Sequence, residues 1–389
     1  AWDERVRAYR RARAHLDRLR QDDWRLSSAE LARAQARRRV ETLRAQELRN
    51  EALGLLSEAQ AAPVRCADLR PPEPGELLLL YHPVVEGWVG FAATTSEVTV
   101  ARVAESNQAL ERAIAARDSS ADARRLLAPF RDALDATERV RVLPLGLLLD
   151  VPFHAIPWPE DQEDALLLDH APVAYAVDLP RPSALEPPGA SEGDADARQR
   201  HAVVIGDPRS NLEHILREIS EVDSILDDRR WSVELLHDAD VDGDTLRAAI
   251  ARATHLHYAG HGLSDGLAGA GSFVELADSQ LSVGDILVLP QVPRSVVLAG
   301  CETGLTNSHT LGGGMSVARA FLAAGSESVI AADHEIDDEV AATISVELYT
   351  ALAEGDPFDG PAILRRAQRA MRLTPDSNPG WSDVRAWTP

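Results

Sequence analysis

The stretch that decides the fold runs from residue 254 to residue 304 and contains two motifs, HLHYAGHG at residues 255–262 and SVVLAGCETG at residues 295–304. In each motif an apolar run of strand length ends in small residues, and a reactive side chain, His261 or Cys301, follows a glycine. Parallel strands bring their carboxyl ends to one edge of a sheet. The two motifs therefore predict neighbouring parallel strands that present a base and a nucleophile side by side.

The sequence on both sides of these motifs alternates between strand and helix patterns, which is typical of a parallel sheet covered by helices. Strands are predicted at residues 201–206, 231–236, 255–259, 295–299 and 328–332. Helices are predicted at residues 213–226, 244–252, 283–287, 315–324, 339–353 and 361–371, and a hairpin-like piece at residues 272–281. We therefore expect residues 201–389 to form one lobe that contains both motifs.

Three upstream regions differ from this lobe in composition. Residues 1–70 are rich in Ala, Arg, Leu and Glu and predict two long helices divided near residues 22–28. They are either a brace for the rest of the chain or the end of a helical-repeat region. The next region predicts three strands in residues 76–103, helices at 105–117 and 121–137, and strands at 141–149 and 173–177. Residues 180–200 are rich in Pro, Gly, Ser, Asp and Ala, which predicts an exposed linker, assigned to residues 186–200, that is either a plain loop or a processing site.

Composition limits the classes of function. The 389 residues, 45% of them hydrophobic, suffice for two domains or for one domain with an extension. The net charge of −22 argues against nucleic acid as the main partner and suits either acidic solubility or a basic substrate. No apolar run approaches the roughly twenty residues of a membrane span and the charged N-terminus is unlike a signal peptide, so we expect a cytoplasmic protein without membrane contacts. A nucleotide-binding loop of the Gly-Lys-Ser/Thr kind is excluded, because the chain contains no lysine.

The chain has two cysteines, Cys66 and Cys301, which are too few for a disulfide framework or a cysteine-rich metal site. A thiol with an ordinary pKa of roughly 8.5 is mostly protonated at neutral pH and needs a base to become a nucleophile. His261 is the candidate base, and the backbone amides of Gly262 and Cys301 are candidates for an oxyanion hole. Alternatively, Cys301 is only a small buried hydrophobe. The pairing with His261 and the neighbouring glycines favour the catalytic interpretation.

Residues 257–262 and 298–304 resemble the motifs of the CHAT domain, a caspase-like peptidase family often joined to tetratricopeptide repeats and related to separase. The histidine also precedes the cysteine, as in caspase-like proteases. Further similar segments are residues 143–157, 203–208, 312–329 and 329–338, and the region ending at residue 381.

This resemblance covers about residues 76–389 and implies a fold, a site and a substrate class. The implied fold is a caspase-like αβα sandwich with a mostly parallel sheet. In it, residues 76–185 are a degenerate companion lobe and residues 201–389 the catalytic lobe, and a helical segment precedes both. The resemblance also implies that His261 and Cys301 form a catalytic dyad, that no cofactor is required and that the substrate is a protein.

One departure from the family pattern bears on specificity. Where family members have Leu-Trp-Pro-Val-Asp-Asp, this chain has DHEIDD at residues 333–338. Asp333 and Glu335 follow the strand at 328–332, and Asp207 follows the strand at 201–206, so all three are expected at the same edge of the sheet. Carboxylates in a cleft favour a guanidinium or ammonium group, which predicts cleavage after Arg and less often Lys, as the separase resemblance also suggests. Alternatively, Asp333 and Glu335 are solvated loop charges.

Two classes of function follow from this sequence. The first is a cysteine endopeptidase, either constitutive or gated by an activating protein partner that docks on the N-terminal helical region. The second is a non-catalytic caspase-like scaffold or signalling interaction module that has kept the two residues. A Cys301→Ala variant distinguishes them, because only a scaffold keeps its cellular effects without the thiol.

Overall fold

The structure is a computed structural model that describes most of residues 70–373 and scattered positions before them. The described ranges are 70–85, 87–103, 121–159, 165–179, 200–206, 214–238, 243–265, 271–277, 279–289, 291–305, 314–352, 358–373 and 387–388, with the single residues 208, 241 and 269 and positions between 4 and 51. The predicted helix at 105–117, the linker at 186–200 and Asp207 lie outside them. The chain divides into two compact units, residues 1–68 and 69–389.

The described positions of the first unit, between residues 4 and 51, are helical. Arg5 Nε lies 3.2 Å from a carboxylate oxygen of Glu51. One straight helix would separate these two residues by about 70 Å, because each residue adds 1.5 Å of rise. The helical segment therefore folds back on itself between them. The predicted break near residues 22–28 lies outside the described residues.

The second unit begins with a sheet of five described strands in the order β3-β2-β1-β4-β5. The strands are β1 (Glu76–Val84), β2 (Gly87–Ala93), β3 (Val98–Val103), β4 (Arg139–Leu143) and β5 (Val173–Tyr175). Strands β1 to β3 form an antiparallel meander, while β1, β4 and β5 are parallel. Helices α1 (Ala121–Leu127), α2 (Arg131–Asp135) and α3 (Leu167–His170) complete this region. Its own apolar core includes Leu77, Leu79, Trp88, Phe130 and Trp158, all buried.

A second sheet of six described strands follows, in the order β7-β6-β8-β12-β13-β14. The elements of this region are, in chain order, β6 (His201–Gly206), α4 (Ile215–Asp228), β7 (Ser232–His237), α5 (Gly243–Ile250), β8 (His255–Ala259), β9 (Gly262–Leu263), β10 (Phe273–Glu275), β11 (Gln280–Ser282), α6 (Val283–Leu287), β12 (Ser295–Ala299), α7 (Val317–Ala324), β13 (Ser328–Ala332), α8 (Asp338–Thr350), α9 (Gly360–Leu373) and β14 (Trp387–Thr388). Strands β9, β10 and β11, which lie between β8 and β12 in the sequence, form a small separate antiparallel sheet in the order β11-β10-β9. The strands β7, β6, β8, β12 and β13 are parallel, and β14 pairs antiparallel with β13.

Alternate residues of the parallel strands enter two separate apolar cores, as the two-residue repeat of a strand requires. Val204, Val297 and Ile330 pack on one face with helices α4, α8 and α9. Val203 and Val296 pack on the other face with helices α5, α6 and α7. The predicted αβα sandwich with a mostly parallel sheet is confirmed.

Two predictions about elements need correction. The strand predicted at residues 141–149 ends at Leu143, and a 3-10 turn runs from Gly146 to Asp150. Pro144 has no N–H for a ladder bond, and Gly146 adopts a positive φ of 56°, so the apolar run cannot continue as a strand. The hairpin predicted at 272–281 has a third strand, β9, which begins directly after His261.

The strand order places the predicted site at a point where the chain reverses direction across the sheet. The chain runs from β6 outward to β7 and then crosses to β8 on the other side of β6. In doubly wound sheets, ligands bind outside the carboxyl ends of the strands at such a reversal. A site is therefore expected at the residues that follow β6 and β8, and β12 is the next strand beside β8.

Candidate active site

Strands β8 and β12 end at the same level of the sheet. They are adjacent and parallel, and their last residues, Ala259 and Ala299, are direct partners in the register. His261 lies two residues beyond the end of β8 and Cys301 two residues beyond the end of β12. The structure thus brings the loops of both residues to one edge, as adjacent parallel strands require.

The two loops touch through glycine backbone. A Cβ atom on Gly262 would lie 2.5 Å from the carbonyl oxygen of Cys301, and one on Gly300 would lie 2.6 Å from the carbonyl oxygen of Gly260. Both distances are shorter than any real Cβ contact, so neither position accepts a larger residue without moving the backbone. The glycines that flank the reactive residues therefore permit the close approach of the two loops.

Hydrogen bonds from strand β10 and from Tyr258 fix the main chain of His261. Glu275 N–H donates to the His261 carbonyl at 2.9 Å. The buried hydroxyl of Tyr258 lies 3.0 Å from the same carbonyl and 2.8 Å from that of Glu275. The His261 residue itself is half-buried. These bonds fix the backbone of His261 just beyond the carboxyl end of β8.

The amide of Gly262 is directed away from the small sheet. Gly262 faces Val274 in the β9–β10 register, and the ladder bond beside this pair runs from Glu275 N–H to the His261 carbonyl. The pair is therefore of the non-hydrogen-bonded kind, in which neither residue uses its own N–H across the ladder. The nitrogen of Gly262 lies 3.4 Å from the Cβ position of Gly300. The predicted oxyanion donor thus lies beside the Cys301 turn.

The Cys301 turn is held by its neighbours on both sides. The half-buried thiol lies 3.6 Å from the carbonyl oxygen of Ile336, to which it donates. The buried hydroxyl of Thr303 donates to the Gly300 carbonyl at 2.9 Å and lies 3.3 Å from that of Leu298. The loop of residues 333–337 therefore lies against the thiol, and Thr303 closes the turn beneath it.

Glu302 joins the two loops, a role that the sequence analysis did not assign. Its backbone adopts a left-handed conformation with a φ of 56°, which is uncommon for a residue other than glycine. Its carboxylate accepts from Ser264 N–H at 3.2 Å, on the loop of His261, and its own N–H donates to the His334 carbonyl at 3.2 Å. The sequence patterns did not indicate that the residue after the predicted nucleophile adopts a left-handed conformation.

The acidic candidates for substrate binding are only partly described. Asp333 directly follows β13, is partly exposed and forms a hydrogen bond of 2.5 Å with His334 Nδ1. Glu335 is exposed on the same loop. Asp207 lies outside the described residues, although β6 before it ends at this edge of the sheet. The structure therefore places Asp333 and Glu335 on the loop that contacts the thiol.

The other two histidines of β8 are fully buried, in keeping with their place on the face that packs against α4 and α8. His257 Nε2 lies 3.0 Å from a carboxylate oxygen of Glu218, which is also buried. His255 is hydrogen-bonded to Ser295 Oγ at 2.8 Å and to Tyr349 Oη at 2.6 Å. Burial, together with the nearby His257, lowers the pKa of His255 to about 3. Neither ring lies at the sheet edge, so neither is a candidate for catalysis.

Among the described residues, no cluster of three or more His, Cys, Asp or Glu side chains is arranged to bind a metal ion. In the same part of the chain, no helix combines the length and the apolar character that crossing a membrane requires.

Comparison with known proteins gives a family and similar solved structures. The CHAT domain model matches residues 118–388, and no curated protein sequence matches the chain. Separase of Saccharomyces cerevisiae, in its complex with securin, is similar with a TM-score of 0.44 and 11% identity, over 68% of this chain and 17% of the separase chain. RgpB of Porphyromonas gingivalis, in a complex of its pro- and mature domains, is similar with a TM-score of 0.44 and 14% identity, over 73% of this chain and 68% of the RgpB chain.

Proposed function

Because this chain belongs to the CHAT domain family, we propose that it is a cysteine endopeptidase, with Cys301 as the nucleophile and His261 as the base. The observation that supports this proposal is the contact between the two loops. Gly262 lies against the Cys301 carbonyl so closely that no other residue fits, and this holds the two reactive residues at one edge of the sheet.

The proposed reaction uses groups that this edge supplies. His261 accepts the proton of the Cys301 thiol, and the thiolate attacks the carbonyl carbon of the scissile peptide bond. The N–H groups of Gly262 and Cys301 stabilise the negative oxygen of the tetrahedral intermediate. The protonated His261 gives its proton to the leaving amine, which leaves an acyl-enzyme, and water then hydrolyses the thioester with His261 as base. The thiol is regenerated at the end of the cycle.

The proposed specificity is for a basic residue, Arg before Lys, on the amino side of the scissile bond. Asp333 and Glu335 lie on the loop that contacts the thiol, and Glu302 is next to it in sequence. Asp207, after β6, is proposed as a further contact. A guanidinium group offers a planar fork that a carboxylate binds through two hydrogen bonds, which an ammonium group cannot match. The acidic character of this edge also suits a cationic side chain.

We further propose that the site is gated. The thiol donates to the Ile336 carbonyl, an interaction that is lost once the sulfur gives its proton to His261. The loop of residues 333–337 must therefore release the thiol when a substrate binds. A protein partner on the N-terminal helical region, residues 1–70, is proposed as the activator that favours the released state.

The test of the dyad is covalent labelling with a peptide acyloxymethyl ketone that has Arg next to the reactive group. We expect one modification on the intact chain, located at Cys301 by peptide mapping. Cys301→Ala is the matched control and should remain unmodified, while Cys66→Ala should be labelled like the parent chain. Modification at Cys66 alone contradicts the proposal. An unlabelled chain whose Cys301→Ala variant retains every cellular effect supports the scaffold instead.

The test of specificity is a panel of fluorogenic peptides that differ only in the residue before the scissile bond. We expect Arg to be preferred over Lys, and both over Leu and Asp. Asp333→Asn should lower kcat/KM for Arg peptides by roughly tenfold, as expected for the loss of one charge-assisted hydrogen bond. Glu327→Gln is the control, because Glu327 is an exposed carboxylate bonded to Arg294 before β13. A preference for Asp or Leu refutes the basic specificity.

A further inference from the structure

Tyr175, the last residue of β5, lies where the first sheet meets the loop that follows β13. A small cavity of about 80 Å³ separates the two sheets there. Its lining includes Pro144, Val151, Pro152 and Tyr175 from the region of the first sheet, and Gly304, Arg319 and Asp333 from the region of the second. Gly304 is three residues after Cys301 in the sequence.

The hydroxyl of Tyr175 is fixed by His154, from the segment of residues 152–157 whose role the proposed reaction leaves open. His154 is buried, its Nδ1 lies 2.7 Å from the Tyr175 hydroxyl, and its backbone N–H donates to the same oxygen at 3.2 Å. The rings of Phe153 and Tyr175 also pack edge to face, with centroids 6.5 Å apart. Two bonds from one residue leave the phenol little freedom of direction.

The phenol and the carboxylate of Asp333 share the cavity. Burial raises the pKa of Tyr175, and the negative charge of Asp333 raises it further. The phenol is therefore neutral across the physiological range. A neutral hydroxyl that donates to an anion stabilises that anion and restricts its orientation.

Asp333 is in turn linked to the residues around the thiol. Its carboxylate is bonded to His334 Nδ1, and the His334 carbonyl accepts from Glu302 N–H. Two residues further along, the Ile336 carbonyl accepts from the Cys301 thiol. A shift of Asp333 is therefore transmitted to both sides of the Cys301 turn.

We propose that Tyr175, held by His154, is a positioning residue that orients the Asp333 carboxylate and thereby sets the preference for a basic substrate residue. The first sheet then contributes to the site of the second without supplying a catalytic group. This inference rests on the proposed function, because it assigns Asp333 to substrate recognition.

The experiment compares Tyr175→Phe with Tyr81→Phe. Tyr81 is a matched control: it is a buried tyrosine of the same sheet whose hydroxyl donates to the Leu126 carbonyl at 2.9 Å, a residue of α1. We expect Tyr175→Phe to lower kcat/KM for Arg peptides about tenfold through a higher KM, and to leave kcat/KM for Leu peptides unchanged. Tyr81→Phe should leave the ratio of Arg to Leu cleavage at the parent value. An unchanged ratio in Tyr175→Phe, or the same change in both variants, overturns the proposal.

A second measurement does not depend on peptidase activity. The unfolding equilibrium constants of the parent chain, Tyr175→Phe, Asp333→Asn and the double variant form a cycle that isolates the coupling between the two side chains. We expect the unfolding equilibrium constant of the double variant to differ by at least about threefold from the value obtained by multiplying the effects of the two single substitutions. Multiplicative constants show that the two groups do not interact and overturn the proposal even if the chain is an active peptidase. A chain that cleaves nothing but shows the coupling refutes the proposed function and leaves the positioning contact intact.

Discussion

Two histidines four residues apart, one within strand β8 and one just beyond its end, have opposite surroundings. His257 is completely buried between the sheet and helix α4, with Glu218 at 3.0 Å as its partner. His261 lies beyond the strand, half-buried, between two glycines and beside the loop of Cys301. Only the second lies beyond the carboxyl end of the strand, outside the helical layer that covers His257.

The difference shows what makes a histidine available for chemistry at a parallel strand. A residue within the strand projects into a helical layer, where close packing excludes water and ligand. A residue just beyond the strand end lies outside that helical layer. Neighbouring glycines have no side chains, so a second loop can approach the backbone closely. The predictions below test this contrast, beginning with the residue on which activity depends most.

His261→Ala should cause the largest loss of activity among the histidine variants. Removing a general base lowers the rate by roughly 10²–10⁴-fold, and we expect about 10³-fold in kcat/KM, or about 4 kcal/mol of transition-state stabilisation. The melting temperature should stay close to that of the parent chain, because the half-buried ring adds little to the core. Steady-state kinetics on an Arg peptide and thermal unfolding measure the two quantities.

His237→Ala is the control for this variant. His237 ends strand β7, which pairs with β6 in the same sheet, is exposed and pairs with Asp238 at 2.9 Å. It should retain full kcat/KM. Equal activity in both variants would show that His261 has no special role among the histidines at this edge of the sheet.

Glu218→Ala should cause the largest loss of stability. It leaves His257 buried without its partner, and breaking a buried pair costs about 3 kcal/mol or more. Urea unfolding measures the loss. Glu221→Ala is the matched control, because Glu221 lies on the same helix and its pair with Arg217, at 3.8 Å, is about half exposed. Exposed pairs contribute roughly 0–1 kcal/mol, so a similar loss in both variants contradicts the importance of burial.

The buried histidines also predict a dependence of stability on pH. His255 has its pKa lowered to about 3 by burial and by His257, below the ordinary value of 6.5. Between these values the unfolded chain binds more protons than the folded one, so stability is present above pH 6.5 and is lost as the pH falls toward 3. At pH 5, His255 alone lowers the free energy of unfolding by about 2 kcal/mol relative to its value well above pH 6.5.

His255→Gln measures this contribution, because glutamine does not titrate. Urea unfolding at pH 7 and pH 5 should show a decrease in stability that is smaller by about 2 kcal/mol than in the parent chain. A parent-like decrease in His255→Gln would show that acid acts on other groups.

Much of the fold followed from local sequence patterns. The strands at residues 201–206, 255–259, 295–299 and 328–332 have the predicted bounds, because each is a short apolar run that lies between turn and helix signals. The strand predicted at 141–149 was wrong beyond Leu143, since leucines continue after Pro144 and hide the turn at Gly146. The short strands β9 and β14 were missed because two residues carry no periodicity.

The site was predictable only as far as chain topology determines it. Adjacent parallel strands had to bring the loops of His261 and Cys301 to one edge, and they do. The left-handed Glu302, the carbonyl of Ile336 against the thiol and the phenol of Tyr175 behind Asp333 depend on contacts between segments distant in sequence. Backbone groups and packing partners of this kind leave no pattern in a single sequence.

The smallest predicted effect concerns how the Cys301 turn is closed. Thr303→Val keeps the shape of the side chain but removes the hydroxyl that donates to the Gly300 carbonyl at 2.9 Å. Because Thr303 is buried, the loss should be about 1 kcal/mol of unfolding free energy, the usual net value of one hydrogen bond. Thr343→Val is the control, since its exposed hydroxyl bonds back to the Glu339 carbonyl within helix α8 at 2.8 Å, where water can replace it. If Thr303→Val is no less stable than Thr343→Val, the glycine contacts hold the two loops together without the hydroxyl, and the contrast between His257 and His261 rests on backbone geometry alone.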